Sequence, residues 1–502
     1  MGNASTRLPR SSPAEMGVSA AGLAAFLDEL AEKRLELHSF MLLLRGNVVA
    51  EGWWAPYGEH LPHMMFSLSK SFTSTAIGIA IEEGRFGLHD PVLSFFPERA
   101  DELAASPAFA DNRDRLSRLT VRHLLTMASG HGVDTLPALM DRKDGDWVKA
   151  FLESPLVHEP GTAFVYNSGA TYMLSAILQR ATGEKLRDYL QQRLFAPLGI
   201  EGAAWDECPQ GVTTGGWGLW TTTEAIAKFG RLYAQLGVWE GRRLVAEEWI
   251  REATSAQIDN GDASGSNTGN SDWQVGYGYQ FWRCRYGAYR GDGAFGQYCI
   301  VFPEQDAVLA ITSGVGDMQA VLDAVWAHVL PALNSVPTAG AKNAEADAQL
   351  AERLALLALQ HPSAEGDSRA AARPEDKAYV FSANETGMRK LAFRFGADEA
   401  EVTIVNDRGE FSFRCGYDVW TAGSSRMWYN EPRLVAAGAS WTDPHTLLLR
   451  IRAVETPFYA EARFTFGEDR VEVSGLDHLG GTGSPSPLRM SGVFADGVGL
   501  AQ

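Results

Sequence analysis

Hydrophobic positions along the chain change their period several times, and each change marks an element. Between residues 15 and 35, Leu23, Phe26, Leu27 and Leu30 recur at helical spacing and predict an amphipathic helix. Two apolar runs, 38–44 and 48–53, flank Arg45-Gly46-Asn47, a tight-turn sequence, and predict a strand pair. A helical run follows over 73–83. From 115 to 240 the pattern is mostly helical with loops, including 121–127, 170–181 and 219–236. The last of these is entered through Thr221-Thr222-Thr223-Glu224, which reads as a capping box. Residues 258–272 are rich in Gly, Ser, Asn and Asp and predict a mobile loop. Strand-like runs resume at 277–285, 297–302 and 308–312, and a helix over 317–330 closes the region.

Helices and two strands therefore open this region, a helical insert fills its middle, and antiparallel strands close it. The pattern predicts an α+β domain over 1–333 whose sheet is built from both ends of the chain segment. Residues 334–376 turn to Ala, Pro, Ser and charges and read as a linker with one helix at 344–359. Beyond 377 short runs alternate: 379–381, 390–395, 401–405, 410–414, 445–451, 459–466 and 470–473. Turn residues separate them, so 377–502 reads as a small all-β barrel or sandwich. The chain shows no internal repeat.

Composition adds limits. A chain of 502 residues is too long for one compact core. Its formal net charge of -18 argues against a nucleic-acid partner. No apolar run is long enough to span a membrane. The polar start, Met1 to Thr6, lacks the apolar stretch of a signal peptide, so a cytoplasmic location is expected; Gly2 matches a myristoylation signature only formally. Cys208, Cys284, Cys299 and Cys415 form no C-x-x-C pair, and the eleven histidines form no H-E-x-x-H. No metal or other cofactor is expected, and the cysteines read as free thiols.

Lys70 is one of nine lysines, and it alone has a serine three positions before it. Residues i and i+3 share a helical face, so the Lys70 amine lies beside the Ser67 hydroxyl. A neutral amine there can take the serine proton and create an acyl-accepting nucleophile. A second signal is Phe164-Val165-Tyr166-Asn167-Ser168-Gly169. Tyr166, with the short polar Ser168 two residues on, can complete such a site, taking the proton from Ser67 and later handing it to the leaving group. A neighbouring ammonium would favour its phenolate. The third signal is Arg290-Gly291-Asp292-Gly293-Ala294-Phe295-Gly296-Gln297, a glycine-rich strand edge that allows close backbone approach. An N–H from that edge, assigned to Ala294, would join the Ser67 N–H in an oxyanion hole. Trp217 and Trp220 are candidates for the acyl pocket, with aromatic core as the equal alternative. Gly293 and Ser168 complete the candidate substrate contacts. His131 and His158 read as satisfied or exposed, and Asp292 as a turn residue.

These three elements, in this order, resemble the serine β-lactamase and penicillin-binding-protein superfamily, most of all its class C-like branch of esterases, D-aminopeptidases and 6-aminohexanoate-dimer hydrolases. Supporting phrases are Leu119-Thr120-Val121-Arg122-His123-Leu124-Leu125-Thr126-Met127-Ala128-Ser129-Gly130 and Gly215-Gly216-Trp217-Gly218-Leu219-Trp220-Thr221. The likeness covers residues 10 to about 330. It implies an antiparallel sheet flanked by helices, a helical lobe, and an acyl-enzyme on Ser67. Two departures stand out. The family's Tyr-x-Asn is Tyr166-Asn167-Ser168 here, and its Lys-Thr-Gly or His-Thr-Gly is replaced by Gly291-Asp292-Gly293. Loss of that cation weakens the case for β-lactam turnover. The expected activity is hydrolysis of a small ester or amide, with self-association into a homo-oligomer compatible with it. A peptidase for D-residue or cell-wall-derived peptides is the alternative enzyme, and an acylating sensor without turnover is the alternative from another class.

Overall fold

A computed structural model of the protein describes residues 7–104, 112–261, 271–335, 341–363, 376–429, 431–477 and 486–494. The chain divides into two compact units. One takes in the chain up to Gly52 together with Pro62–Ala355; the other takes in Trp53–Leu61 and the chain from Leu356 onward.

The first unit is organised by strand β1 (Leu37–Leu44), whose residues are all buried. With β2 (Asn47–Trp53), β3 (Trp282–Arg283), β4 (Tyr289–Gly293), β5 (Gln297–Phe302) and β6 (Ala307–Ser313) it forms a sheet of order β2-β1-β6-β5-β4-β3. β1 pairs antiparallel with β6, from Leu37 opposite Ser313 to Leu44 opposite Ala307. Both ends of the unit thus meet in one sheet. Helix α1 (Ala20–Glu32) turns Leu23, Phe26, Leu27 and Leu30 inward, and the Phe26 ring meets Phe40 edge-on. Helix α2 (Ser69–Glu82) carries Lys70, and helix α3 (Ser168–Thr182) begins beside it. Helix α4 (Thr223–Ala234) places the Thr223 hydroxyl 2.6 Å from that of Ser39. Ser39 and Phe40 are consecutive in a strand and point to opposite faces, so α1 and α4 cover opposite sides of the sheet. α4 lies very close to it: a Cβ on Gly230 would come within 2.4 Å of Val308 Cγ1.

Three expectations are corrected here. The helix expected over 219–236 starts later, because Leu219–Thr221 forms a strand with His63–Met64 and Ala204–Trp205. Its cap is Thr222, which accepts from the Ala225 N–H at 3.3 Å. Glu224, expected in a capping box, instead accepts from the Leu8 N–H at 2.7 Å and pairs with Arg10. The strand expected over 277–285 shrinks to Trp282–Arg283, because Gln280 takes a positive φ of 65° that breaks the extended run. The helix expected at 344–359 forms at Ala341–Ala355 and belongs with the first unit. Its Asp347 accepts from the Ala14 N–H, and Arg353 pairs with Asp28. Most of the loop expected at 258–272, the N-terminal hexapeptide and much of the expected linker lie outside the described residues.

The second unit is a β-barrel. Its strands are β7 (Lys377–Phe381), β8 (Lys390–Phe395), β9 (Glu399–Asn406), β10 (Gly409–Tyr417), β11 (Thr421–Ser425), β12 (Arg433–Asp443), β13 (Thr446–Ala453), β14 (Tyr459–Phe466), β15 (Arg470–Asp477) and β16 (Ser486–Phe494). They follow the order β10-β9-β8-β7-β16-β15-β14-β13-β12-β11. A short parallel pairing of Gly416 and Tyr417 with Gly438 and Ala439 joins β10 to β12 and closes nine strands on themselves. That pairing spans two residues of each strand, so among the described residues Gly409–Cys415 of β10 is laddered only to β9, while β11 flanks β12. Phe393, Val402, Phe413, Trp441, Phe464 and their neighbours form its apolar interior. Trp53–Leu61 joins this unit through a bridge from Ala55 to the segment before β7. The Ala55 N–H donates to Leu357 O at 3.0 Å, and the Tyr57 hydroxyl to Thr456 O at 2.8 Å.

Candidate active site

Ser67 sits in a single 3-10 turn, Phe66–Leu68, that runs directly into α2. Phe66 before it has φ +48°, a conformation that costs a non-glycine residue of order 1–2 kcal/mol. The surroundings hold it there. The Met65 N–H donates to Leu219 O at 2.8 Å, the Ser69 hydroxyl donates to Phe66 O at 2.6 Å, and the Leu219 N–H donates back to Ser69 Oγ at 3.1 Å. The Phe66 ring rests on Phe295, 5.2 Å between centroids. Phe295 also has a positive φ, 65°. Two strained residues from different elements thus brace the serine turn against the β4–β5 hairpin.

Helical spacing brings Lys70 Nζ to 3.0 Å from Ser67 Oγ. The lysine is only 2% exposed. Its other partners are Ser168 Oγ at 3.2 Å and Gly216 O at 2.8 Å. Burial pulls its pKa down to about 8, against the opposing pull of the Asp134 and Asp292 carboxylates. A neutral amine can donate to Gly216 O and Ser168 Oγ while its lone pair receives the Ser67 O–H.

Tyr166 arrives from the opposite side. Asn167 caps α3, its Oδ1 accepting from the Ala170 N–H and from the Thr135 hydroxyl. Asp134 accepts from the Ser168 N–H at 2.8 Å and from the Leu136 N–H at 3.0 Å. This fixes the turn that presents Tyr166. The Ser67 side chain is among the groups that act on its phenol, and Lys70 Nζ lies 4.8 Å from its ring centroid. The ring stacks on Trp282 at 5.4 Å and meets Tyr277 edge-on. The expectation of a phenolate favoured by Lys70 is corrected. Desolvation first, then the Asp292 and Asp134 carboxylates, hold the phenol well above the ordinary tyrosine range. A phenol held this way stays protonated and can donate its proton, so it does not fit a resident base.

The glycine-rich edge lies against the serine turn. A Cβ on Gly293 would come within 2.1 Å of Met65 O, and one on Gly291 within 2.5 Å of Ser71 Oγ. Only glycine allows this approach. Ala294 follows Gly293 at the exposed tip, where its carbonyl accepts from Gln297 Nε2 at 3.0 Å. Asp292 is not a turn residue. It lies buried in β4 opposite Tyr298 and pairs with buried Arg290 at 2.8 Å. Arg290 is further held by Asp272 O and the Trp273 ring.

The remaining candidates separate. Ser168 and the Gly216-Trp217 turn reach Lys70, and Trp217 is half-buried beside Trp147. Trp220 is an interior tryptophan whose indole N–H donates to Asp206 at 3.1 Å. His131 is buried between Ser129 Oγ and Phe151 O, and burial lowers its pKa to about 4. His158 is exposed. All four cysteines are free and buried. Among the described residues no cluster of three or more His, Cys, Asp or Glu is placed to hold a metal ion, and no helix is long and apolar enough to cross a membrane. Asp134, Trp282 and the Arg290–Asp292 pair were not assigned to the site from sequence. Asp134 and Trp282 are single residues without a periodic or motif signal, and Arg290 and Asp292 lie inside the glycine-rich signal, which does not reveal their ion pair.

Comparison with known proteins bears on this arrangement. A family model described as Beta-lactamase matches residues 23–329. The 6-aminohexanoate-dimer hydrolase of Paenarthrobacter ureafaciens is 28% identical over 329 residues, 62% of this chain and 82% of that one. The lovastatin esterase of Penicillium rubens is 27% identical over 149 residues, 27% of this chain and 37% of that one. A solved Bacillus anthracis structure, provisionally described as a 6-aminohexanoate-dimer hydrolase, superposes with TM-score 0.50 at 22% identity, over 62% of this chain and 83% of that one.

Proposed function

The chain belongs to the beta-lactamase family, and from that premise we propose that it hydrolyses small carboxylic esters or amides through an acyl-enzyme on Ser67. One observation carries the reading: Lys70 Nζ lies 3.0 Å from Ser67 Oγ, buried, with its proton affinity reduced.

The steps follow from the groups present. Neutral Lys70 takes the Ser67 proton as Oγ bonds to the substrate carbonyl carbon. The oxyanion forms between the Ser67 and Ala294 N–H groups. Tyr166 gives its hydroxyl proton to the departing alkoxide or amine and is reprotonated from Lys70. Water then attacks the acyl carbon, losing its proton through the same pair, and Ser67 Oγ leaves as the hydroxyl. Two features favour plain esters and amides over anionic substrates. Gly291 stands at the place of the family's cation, with Asp292 beside it paired to Arg290, and Asp134 places a further carboxylate near Lys70. The curated relatives include a 6-aminohexanoate-dimer hydrolase and a lovastatin esterase.

The test is a fluorophosphonate followed by intact-mass and peptide analysis, with p-nitrophenyl butyrate turnover in parallel. One adduct on Ser67 and loss of turnover in Ser67→Ala are expected. An adduct on another serine, or turnover retained by Ser67→Ala, would refute the proposal.

A further inference from the structure

The barrel contains a cavity of about 210 Å³ that the hydrolytic chemistry does not use. Its floor is apolar and buried: Val402, Phe413, Leu449, Ile451, Phe464 and Val473. Its rim includes the partly exposed Met388, Met427 and Trp428. The space exists because β14 turns Ala460 and Ala462 inward, in line with Phe464, where bulkier side chains would close the barrel. The polar residues lining it are Thr386, Asn406 and Glu461. The Glu461 carboxylate is already taken by Arg450 Nε at 3.0 Å. Among the described residues no lysine, arginine or histidine lines it.

We infer that the barrel is a binding site for an uncharged medium-chain alkyl molecule. A dry apolar cavity of about 150 Å³ admits benzene. Scaling by volume gives room for about eight carbon atoms here. The cavity is open at its rim, so without a ligand its apolar walls face water, and an alkyl chain would relieve that contact. Closed barrels of eight or so strands either fill their interior with side chains or hold one small ligand. The two thioethers at the rim adapt to a flexible chain. A charged head inside would be desolvated without a partner among these residues, at a large cost.

The experiment is calorimetric titration of the full chain with 1-alkanols from butanol to decanol. One site is expected, with Kd falling about fourfold for each methylene added. The gain should stop near octanol, when the cavity is full. Octanoate should bind at least tenfold more weakly than octanol; equal binding would overturn the assignment of an uncharged ligand. Ala462→Phe fills the cavity from one wall and should abolish binding while p-nitrophenyl ester hydrolysis continues. Should that variant fail to fold, Ile404→Ala enlarges the cavity and should move the plateau to longer chains. No saturable binding, affinity that climbs through decanol without a plateau, or a series unchanged in both variants would overturn the site.

Discussion

The pH dependence of acylation tests the role of Lys70 most directly. Its pKa stands at about 8, against 10.5 for an ordinary lysine. If the neutral amine is the base, the reactive fraction is about 0.09 at pH 7 and about 0.9 at pH 9. The acylation rate should therefore rise about tenfold over that interval and bend near pH 8. A lysine with its ordinary proton affinity would give a rise of about a hundredfold and no bend. The perturbation is Asp134→Asn. Asparagine keeps an oxygen for the Ser168 and Leu136 N–H groups but removes the first-named charge that favours the ammonium. The bend must then move to lower pH. A downward shift of about one unit would bring the neutral fraction at pH 7 to about one half, a gain of about fivefold, with no gain at pH 9. The assay is single-turnover release of p-nitrophenol, with Ser67→Ala subtracted as background. A profile that climbs unbent to pH 10, or a bend that moves upward in Asp134→Asn, would show that Lys70 is not the base.

Tyr166→Phe keeps the stack on Trp282 but loses the proton carrier, and should slow ester turnover roughly 10²–10⁴-fold with little change in thermal unfolding. Gly293→Ala puts a Cβ 2.1 Å from Met65 O, so it should cost about 10²-fold in turnover or more as the edge is pushed from Ser67; wild-type kinetics in a folded variant would disprove the close approach. Asp272, whose side chain is fully buried, accepts from Arg285, Gln319 and Trp326, and its carboxyl is held below the ordinary range despite burial. Asp272→Asn should cost about 3 kcal/mol in urea unfolding at pH 7. Because the folded pKa is depressed, that stabilisation is present above the unfolded value and is lost as pH falls through the folded one, so the gap between variant and wild type should close only in strong acid.

The parts of the site that could be read from sequence are local ones. Ser67 and Lys70 are one helical turn apart, and Tyr166 is followed by its own cap and helix. Asp134 gave no such signal, because only folding carries it to the start of α3. β4 reads Tyr-Arg-Gly-Asp-Gly, with little strand propensity, and exists because β5 pairs with it from Gln297 to Val301. β12 was missed for a related reason: its Ala-Ala-Gly-Ala centre lacks branched side chains, and barrel closure supplies the pairing instead. The phenolate expectation for Tyr166 failed because charge proximity is visible as spacing, whereas desolvation depends on everything packed around the ring.

Trp53–Leu61 has a consequence for how the protein is made. The segment leaves the ribosome before the nucleophile, yet its structural unit is completed only by residues from Leu356 onward. At roughly 5–20 residues per second, the roughly 300 residues between them take about 15–60 s to synthesise. Trp53, Trp54 and Tyr57 must wait through that interval without the strands they will join. In the first unit only the β1–β2 part of the sheet is local, and the rest waits for β5 and β6 to emerge. A newly made chain is thus exposed at one defined apolar stretch for most of its translation, and that stretch is where a chaperone would be expected to bind first.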